Sequence, residues 1–275
     1  MGSVGRHRRD LAVKLEIPHV DLMVCTACQL RCVGCTNGMG VVPMEVWPAH
    51  DVIADAERAA EFMHAGVVCL LGGEPTSHPR LVEIMCEVRS SGLGDRIQVL
   101  TNGMRLHRMS TAFWVELDWL KISVYPGKTQ PGNVELARRM QQLHGFQLDF
   151  YDVDADPFRA VLTDRARTAA ESQQVYDGCW YRTYTRKIER GFFYRCCTSP
   201  SISQTILGLG PDADGIALAD LTPKALREFL SRPEPAQSCS RCYGNTGPRI
   251  QWSEERTGAD EWIAASIVAL PMVEV

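Results

Sequence analysis

Residues 19–35 read HVDLMVCTACQLRCVGC, an apolar run of strand length that leads directly into a group of cysteines. Four later runs share this length and its β-branched content, at residues 67–71, 96–101, 120–125 and 146–153. Short apolar runs of this kind predict buried strands. We therefore predict five strands, the first of which delivers the cysteines to its carboxyl end.

Amphipathic stretches separate the predicted strands. Apolar residues recur at helical spacing within residues 48–64, 79–90 and 133–144. Each stretch is followed by a glycine that can adopt the left-handed conformation of a helix end: Gly66, Gly92 and Gly145. This alternation predicts an α/β fold, a parallel sheet with helices outside it. With a sixth strand further on, the sheet would form an open or partial barrel whose ligands gather at the carboxyl ends of the strands.

The pattern changes after residue 157. Pro157 follows Asp156 as at a helix start, which predicts a helix over 158–175. Another helix is predicted over 223–231, among cysteines and aromatic residues that indicate a small extension held together by metal ligands. We therefore divide the chain into three parts: an N-terminal extension at 1–18, the barrel core at 19–157, and the end of the barrel with the C-terminal extension at 158–275.

The composition is that of a globular protein, and a net charge of −4 does not favour binding to nucleic acid. The longest apolar run, at 66–71, is far shorter than the about 20 residues that a membrane span needs. The basic N-terminus lacks the apolar core of a secretory signal, so the cytoplasm is the expected location. The 11 cysteines, most of them clustered, then indicate metal ligands or catalytic groups rather than disulfides.

Cys28, Cys32 and Cys35 have a C-x3-C-x2-C spacing, so three thiolates on one loop can face a common centre. A structural zinc ion usually takes four ligands, with its cysteine pairs coming from two segments. Three closely spaced cysteines suit an iron–sulfur cube with one open iron. A zinc site completed by Cys25 is the alternative. The spacing resembles the cluster motif of the radical S-adenosylmethionine (SAM) superfamily.

This resemblance implies both a fold and a chemistry. The fold would be a partial (β/α)6 barrel in which the three cysteines hold a 4Fe–4S cluster. The amino and carboxylate groups of SAM would chelate the fourth iron, and reduction would cleave SAM to a 5′-deoxyadenosyl radical that abstracts a hydrogen from the substrate. An electron donor such as flavodoxin or ferredoxin is then an expected partner.

Three further motifs follow predicted strands in the order in which the family has them: LLGGEP (70–75), LTNG (100–103) and ISVY (122–125). The first is similar to the family's GGEP motif, which binds the SAM amino group, and the other two would face the SAM ribose and carboxylate. The resemblance thus assigns SAM contacts to Gly72, Gly73, Glu74, Asn102 and Ser123. A purely structural role in a turn or strand is the alternative for each of them.

A second group of cysteines lies in the extension. Cys179, Gly191 and Cys196 give the pattern C-x11-G-x4-C, and Cys239-x2-Cys242 follows later. Two such pairs would also fit a structural zinc ribbon. The pattern resembles the SPASM/twitch extensions of radical SAM enzymes, which implies one auxiliary 4Fe–4S cluster with all four cysteines as ligands.

Cys197 has no place among those four ligands. A thiol beside the substrate can return hydrogen to a carbon radical, because its S–H bond is weaker than most C–H bonds. Cys197 as the hydrogen donor would make the protein an epimerase, which removes hydrogen from one face of a carbon and returns it to the other. An inert Cys197, or Cys197 as a ligand in place of Cys196, is the alternative.

The sequence indicates the substrate less clearly. Asp152, Asp154 and Asp156 share one face of an extended chain, where carboxylates would bind a cationic aminosugar; a solvated acidic loop is the alternative. Residues 1–18 are too few for a leader-peptide-binding domain, which favours a small molecule. More loosely, the chain resembles radical SAM epimerases of aminoglycoside biosynthesis. A sugar-alcohol dehydrogenase that uses the auxiliary cluster as electron acceptor, a peptide-modifying maturase and a non-enzymatic cluster protein are the alternatives.

Overall fold

The computed structural model describes residues 14–255 and 258–268. Five parallel strands, each beside the one before it in the chain, form the centre of the sheet. They are β1 Leu15–Cys25, β2 Met63–Gly72, β3 Gly94–Thr101, β4 Trp119–Val124 and β5 Gln147–Asp152. All five predicted strands are thus confirmed, although β1 begins earlier than predicted. Most of the N-terminal extension predicted at 1–18 lies outside the described residues.

The remaining strands extend the sheet or form small ladders. They are β6 Phe158–Arg159, β7 Leu162–Thr163, β8 Thr185–Glu189, β9 Phe192–Tyr194, β10 Gly215–Ala217, β11 Arg249–Ile250 and β12 Ile267–Val268. β8 is a sixth parallel strand, but it lies beside β1 rather than beside β5. β9 and β10 continue this edge as antiparallel strands, while β6 pairs with β11 and β7 with β12. The mixed α/β class with a mostly parallel sheet is the one predicted.

Helices lie between the strands. They are α1 Ala49–Ala60, α2 Leu81–Ser91, α3 Thr111–Val115, α4 Pro131–His144, α5 Ala169–Gly178, α6 Tyr181–Tyr184, α7 Pro223–Ser231 and α8 Ala259–Ser266. Gly92 and Gly145 end their helices with φ of 69° and 76°, as predicted. The prediction for Gly66 is wrong, because α1 ends early and Gly66 lies inside β2. In the part of the chain that is described, no helix is both long and apolar enough to cross a bilayer.

The helix predicted over 158–175 is also wrong. Its first half forms β6 and β7, whose partner strands come from far along the chain. The helix that does form, α5, starts after Thr168, which exchanges hydrogen bonds with Glu171 in a capping box. Asp156 does not cap a helix, since its carboxylate pairs with Arg249. The helix predicted over 223–231 is confirmed as α7.

The main apolar core lies between the sheet and its helices. Val20, Leu22 and Val24 alternate along β1, are at most 1% exposed, and share one apolar cluster with Ala56 and Ala59 of α1. The small alanine side chains let α1 lie close to the sheet. Strand alternation turns the intervening residues of β1 to the opposite face, which is the inner face of a barrel.

Lys187 of β8 is a buried cation that connects the sheet to the loop after β1. Its side chain is 1% exposed, and its Nζ lies 3.1 Å from Glu189 Oε2 and donates to Asn37 Oδ1 over 3.0 Å. A buried charge is stable only when it is paired and hydrogen-bonded. Lys187 therefore holds the cysteine-bearing loop, which contains Asn37, against β8.

We expect Lys187→Met to cost about 3 kcal/mol of unfolding free energy, because it leaves the largely buried Glu189 without its cation. Lys224→Met is the matched control. Its Nζ lies 3.7 Å from Glu228 on the surface of α7, with the lysine side chain 84% exposed, so we expect a loss below about 1 kcal/mol. Urea unfolding of both variants measures the difference. Equal losses would contradict a structural role for the buried pair.

Candidate active site

A cavity of about 500 Å³ lies at the carboxyl ends of the parallel strands. Its lining includes all three cysteines of the loop after β1: Cys28, Cys32 and Cys35. It also includes Thr198 and Gly244, which lie beside the second cysteine group: the Thr198 hydroxyl is 3.3 Å from Cys196 Sγ, and the Gly244 amide donates to Cys242 Sγ over 3.2 Å. The volume is typical of sites for small molecules and cofactors. The cavity therefore borders the first cysteine group and two neighbours of the second group, whose own cysteines are not among the described lining residues.

The loop after β1 brings three sulfur atoms to the cavity. Cys32 is buried, and Cys28 and Cys35 are half-buried. The Leu30 amide donates to Cys28 Sγ over 3.4 Å, and the Trp252 indole N–H donates to Cys32 Sγ over 3.2 Å. Burial raises the pKa of Cys32 to about 12 and also raises the pKa of Cys28, and the charges of neighbouring cysteines add to both shifts. Crowded thiols of this kind lose their protons on metal binding, so this donor set fits a cluster with three protein ligands.

The two glycines of the GGEP motif are required by the close approach of two loops. A Cβ at Gly72 would lie 2.2 Å from the carbonyl oxygen of Cys25, and one at Gly73 would lie 2.5 Å from that of Ala27. The Gly73 amide donates to the Cys25 carbonyl over 2.9 Å, and the Glu74 amide donates to the Ala27 carbonyl over 2.8 Å. Both glycines also line the cavity. The motif therefore fastens the loop after β2 to the loop that carries the cysteines.

Glu74 is fully buried, and its carboxylate accepts four hydrogen bonds from the protein. The donors are the Thr76 amide and hydroxyl, the Thr101 hydroxyl at 2.6 Å and the Asn102 amide at 2.7 Å. Burial raises the pKa of Glu74, and these hydrogen bonds act in the opposite direction. Glu74 thus joins the ends of β2 and β3. Its contact with the SAM ammonium stays a prediction.

Asn102 and Ser123 line the cavity at the ends of β3 and β4. The Asn102 side chain is held in place, since its Nδ2 donates to Gln29 Oε1 over 3.1 Å and its Oδ1 accepts from the Met104 amide over 2.9 Å. These positions leave both predicted SAM contacts possible, and the contacts themselves stay predictions.

The second cysteine group is assembled around Cys196. Burial is the main cause of the raised pKa of Cys179, Cys239 and Cys242, and the charge of Cys196 raises the pKa of all three. Cys242 Sγ accepts a hydrogen bond from the Gly244 amide over 3.2 Å, and neighbouring backbone amides act to lower the pKa of the other three cysteines. Amide donors stabilise thiolates, so the donor set fits a second metal centre.

Cys196 and Cys197 differ in how readily they lose a proton. The neighbouring Cys197 lowers the pKa of Cys196, whereas Cys196 and burial raise the pKa of Cys197, with the Thr185 side chain acting in the opposite direction on Cys197. Within the described residues, the cavity lining includes Thr198 and Tyr181 beside Cys197 but not Cys197 itself.

The structure places the predicted substrate carboxylates outside the cavity. Asp152 and Asp154 are exposed, and Asp152 Oδ1 accepts hydrogen bonds from the Asp154 and Ala155 amides over 3.0 and 3.4 Å. β5 ends at Asp152, so the strand alternation that would put these carboxylates on one face stops there. Asp156 does line the cavity, but its carboxylate is paired with Arg249. The exposed turn corresponds to the alternative of a solvated acidic loop.

The lining carries more cations than carboxylates. Lys121, Arg159 and Arg249 are three cationic lining residues, against the single carboxylate of Asp156. This balance does not favour a polycationic substrate. Sequence reasoning missed Lys121, although strand alternation puts it on the same face of β4 as Ser123. It also missed Trp252, because nothing in the sequence connects residue 252 to the first cysteine group.

The geometry agrees with the comparisons with known proteins. Residues 22–125 match the model of the Radical SAM superfamily. Such a domain implies a 4Fe–4S cluster and SAM as cofactors. The described residues fit a 4Fe–4S cluster with bound SAM, because they provide three sulfur atoms, hydrogen-bond donors to these atoms and a cavity beside them.

The solved structures that are similar to the chain include the following two. One is BtrN in complex with AdoMet and 2-DOIA, with a TM-score of 0.52, 10% identity, and coverage of 81% of this chain and 84% of that one. The other is anSMEcpe with bound AdoMet, with a TM-score of 0.50, 12% identity, and coverage of 82% of this chain and 81% of that one. At these identities the likeness shows a shared fold. No curated protein matches the sequence significantly.

We expect Gly73→Ala to destabilise the protein by about 1–3 kcal/mol, because the new Cβ would overlap the backbone of the loop that carries the cysteines. SAM binding by the reconstituted protein should weaken as well. Gly132→Ala is the control: nothing lies within 4 Å of its Cβ position in the first turn of α4, so we expect no loss and a gain up to about 1 kcal/mol. Thermal unfolding and equilibrium dialysis with SAM measure both effects. An unchanged Gly73→Ala protein would contradict the close approach of the two loops.

Proposed function

We propose that the protein cleaves SAM beside Cys28, Cys32 and Cys35 and removes a hydrogen atom from a small polar substrate held in the cavity. When bound, a reduced 4Fe–4S cluster supplies the electron that cleaves SAM to methionine and a 5′-deoxyadenosyl radical. The observation that supports this proposal is the cavity at the strand ends, which is lined by Cys28, Cys32 and Cys35 together with the glycines of the GGEP motif. Formation of 5′-deoxyadenosine after anaerobic reduction with SAM is the first test.

The residues at the strand ends would bind and orient SAM. Gly72 and Gly73 present backbone to the cavity beside the cysteine loop, and Asn102 and Ser123 present polar side chains from the next two strands. Glu74 acts chiefly by holding the Asn102 backbone and, if its carboxylate reaches SAM, also by accepting from the ammonium. This arrangement supports the SAM contacts that the family resemblance assigns.

We further propose that Cys179, Cys196, Cys239 and Cys242 hold an auxiliary 4Fe–4S cluster in a SPASM/twitch-like extension. The support is the burial of Cys242, the partial burial of Cys179, Cys196 and Cys239, and the hydrogen bond from the Gly244 amide to Cys242 Sγ. A structural zinc ion is the competing occupant. Thr198 and Gly244 contact this group and line the cavity, and this proximity favours a redox centre.

For the outcome we favour epimerisation with Cys197 as hydrogen donor; the sulfur radical left by this transfer would return to a thiol with one electron from the proposed electron donor and one proton. Its support is that Cys196 and burial raise the pKa of Cys197, which favours the thiol, and that Cys197 lies next to Thr198 and near Tyr181, which line the cavity. The dehydrogenase alternative needs no thiol and instead uses the auxiliary centre as electron acceptor. The second cysteine group lies near the cavity, which is compatible with either outcome. Substitution of Cys197 is therefore the change that distinguishes an epimerase from a dehydrogenase.

The substrate is proposed only as a class. An aminoglycoside-type sugar remains a hypothesis that rests on the loose family resemblance, since the carboxylates that suggested a cationic substrate lie outside the cavity. The cationic lining favours a neutral or anionic polar molecule. A peptide segment is the remaining alternative.

We expect anaerobically reconstituted protein to contain about eight irons per chain, four for each cysteine group. The triple variant Cys28→Ala, Cys32→Ala, Cys35→Ala should keep about half of this iron and form no 5′-deoxyadenosine. Cys86→Ala, on the outer helix α2, is the control and should keep both properties. Iron and zinc analysis and product chromatography provide the measurements. Stoichiometric zinc with little iron in the wild type would sink the proposal.

We expect Cys197→Ser to keep both clusters and to keep forming 5′-deoxyadenosine, while the inverted product disappears. In deuterated water the wild type should place one solvent-derived deuterium on the inverted carbon, because a thiol hydrogen exchanges with solvent and a C–H hydrogen does not. Cys86→Ser should behave like the wild type. Continued substrate oxidation by Cys197→Ser without deuterium incorporation would identify a dehydrogenase. Loss of the auxiliary iron would instead identify Cys197 as a ligand.

A further inference from the structure

A segment near the end of the described chain covers the loop that carries the first cysteine group. This cover segment comprises residues 252–255 and 258–266. The Val33 amide donates to the Ser253 carbonyl over 2.9 Å, and Glu255 and Arg31 exchange two further hydrogen bonds, of 3.1 and 3.2 Å. Gly34 donates its amide to Ser266 Oγ over 3.0 Å. The cover segment is therefore fastened along the loop from residue 31 to residue 34.

Two tryptophans of the cover segment contact the same cysteine through different atoms. The Trp252 indole N–H donates to Cys32 Sγ over 3.2 Å, whereas the Trp262 indole N–H donates to the Cys32 carbonyl over 2.9 Å. The Trp252 ring also packs against Tyr125, with ring centroids 5.4 Å apart, and the Tyr125 hydroxyl acts to lower the pKa of Cys32. Cys32 thus accepts one indole hydrogen bond at its sulfur atom and another at its carbonyl oxygen.

We propose that Trp252 is a positioning residue that raises the reduction potential of the SAM-cleaving cluster, through its indole hydrogen bond to the Cys32 sulfur. This inference rests on the proposed function to the extent that Cys28, Cys32 and Cys35 hold that cluster. It goes further in assigning control of the potential to a residue outside the family motifs.

The sign follows from charge. Reduction adds one electron to the cluster and its thiolate ligands, and a donor N–H at a ligand sulfur stabilises the more negative form more strongly. Removal of the donor therefore makes reduction harder and moves the potential to a more negative value. Burial increases the effect, because little water can replace the lost donor at the covered sulfur.

Trp252→Phe is the direct test, since phenylalanine keeps an aromatic ring against Tyr125 and lacks the N–H. Trp262→Phe is the matched control: it removes a hydrogen bond from the same residue, Cys32, but at the carbonyl oxygen. Tyr125→Phe removes the hydroxyl that acts to lower the pKa of Cys32 and serves as an independent variant if Trp252→Phe folds poorly. All three proteins are reconstituted anaerobically without SAM, and the cluster is titrated with a low-potential reductant under electron paramagnetic resonance.

We expect Trp252→Phe to retain the iron of the wild type and to lower the equilibrium constant for reduction of the first cluster up to tenfold, a negative shift of at most about 59 mV. Tyr125→Phe should shift the potential in the same direction, and Trp262→Phe should leave it near the wild-type value. To assign the signal to the first cluster, the variants are also made in a background in which Cys179 and Cys239 are alanine.

Equal potentials in the wild type, Trp252→Phe and Tyr125→Phe would overturn the inference. So would an equal shift in Trp262→Phe, because the effect would then come from loosening the cover segment rather than from the sulfur contact. Loss of iron from Trp252→Phe alone would also overturn it, in favour of a role in holding the cluster. A wild type that binds no cluster at its first cysteine group would be a failure of the proposed function, and it is distinguished by the iron content before any potential is measured.

Discussion

The backbone carbonyls of Cys25 and Ala27 accept hydrogen bonds from Gly73 and Glu74, and the geometry of the site depends on this contact. It joins the end of β1 to the end of β2 at a separation that no side chain larger than hydrogen permits. The loop after β1 therefore leaves the sheet in a fixed direction. Three sulfur atoms then line one cavity, although the loop itself contains no regular helix or strand.

The same contact explains why a carboxylate lies inside the protein. Glu74 would be costly to bury without partners, and it has four donors from the ends of β2 and β3. The carboxylate thereby sets the position of Asn102, whose amide is one of the donors. The GGEP motif thus has a structural role, which is compatible with the proposed SAM contacts because Gly72 and Gly73, rather than the carboxylate, are among the described lining residues.

The sequence allowed the parallel strands and the first cysteine group to be predicted, because both are local signals. β1 to β5 are short apolar runs, and three cysteines within eight positions need no knowledge of the fold. The failures share a physical cause. Phe158 and Leu162 form strands because their partners come from residues 249–250 and 267–268, and no local pattern reveals such pairing. The prediction placed Asp152 and Asp154 on one face because side chains alternate along a strand, but β5 ends at Asp152 and the alternation ends with it.

Contacts made by the folded chain also determine the properties of the second cysteine group. A thiol pair such as Cys196 and Cys197 is ambiguous in sequence, since either sulfur can be the ligand. In the fold, Cys197 and the neighbouring backbone amides lower the pKa of Cys196, while Cys196 and burial raise the pKa of Cys197. The difference between the two cysteines is therefore a property of their surroundings. An epimerase that returns hydrogen from Cys197 would need this difference, because a thiolate can bind a metal but has no hydrogen atom to give, whereas a thiol has one to give but binds the metal only after it has lost its proton.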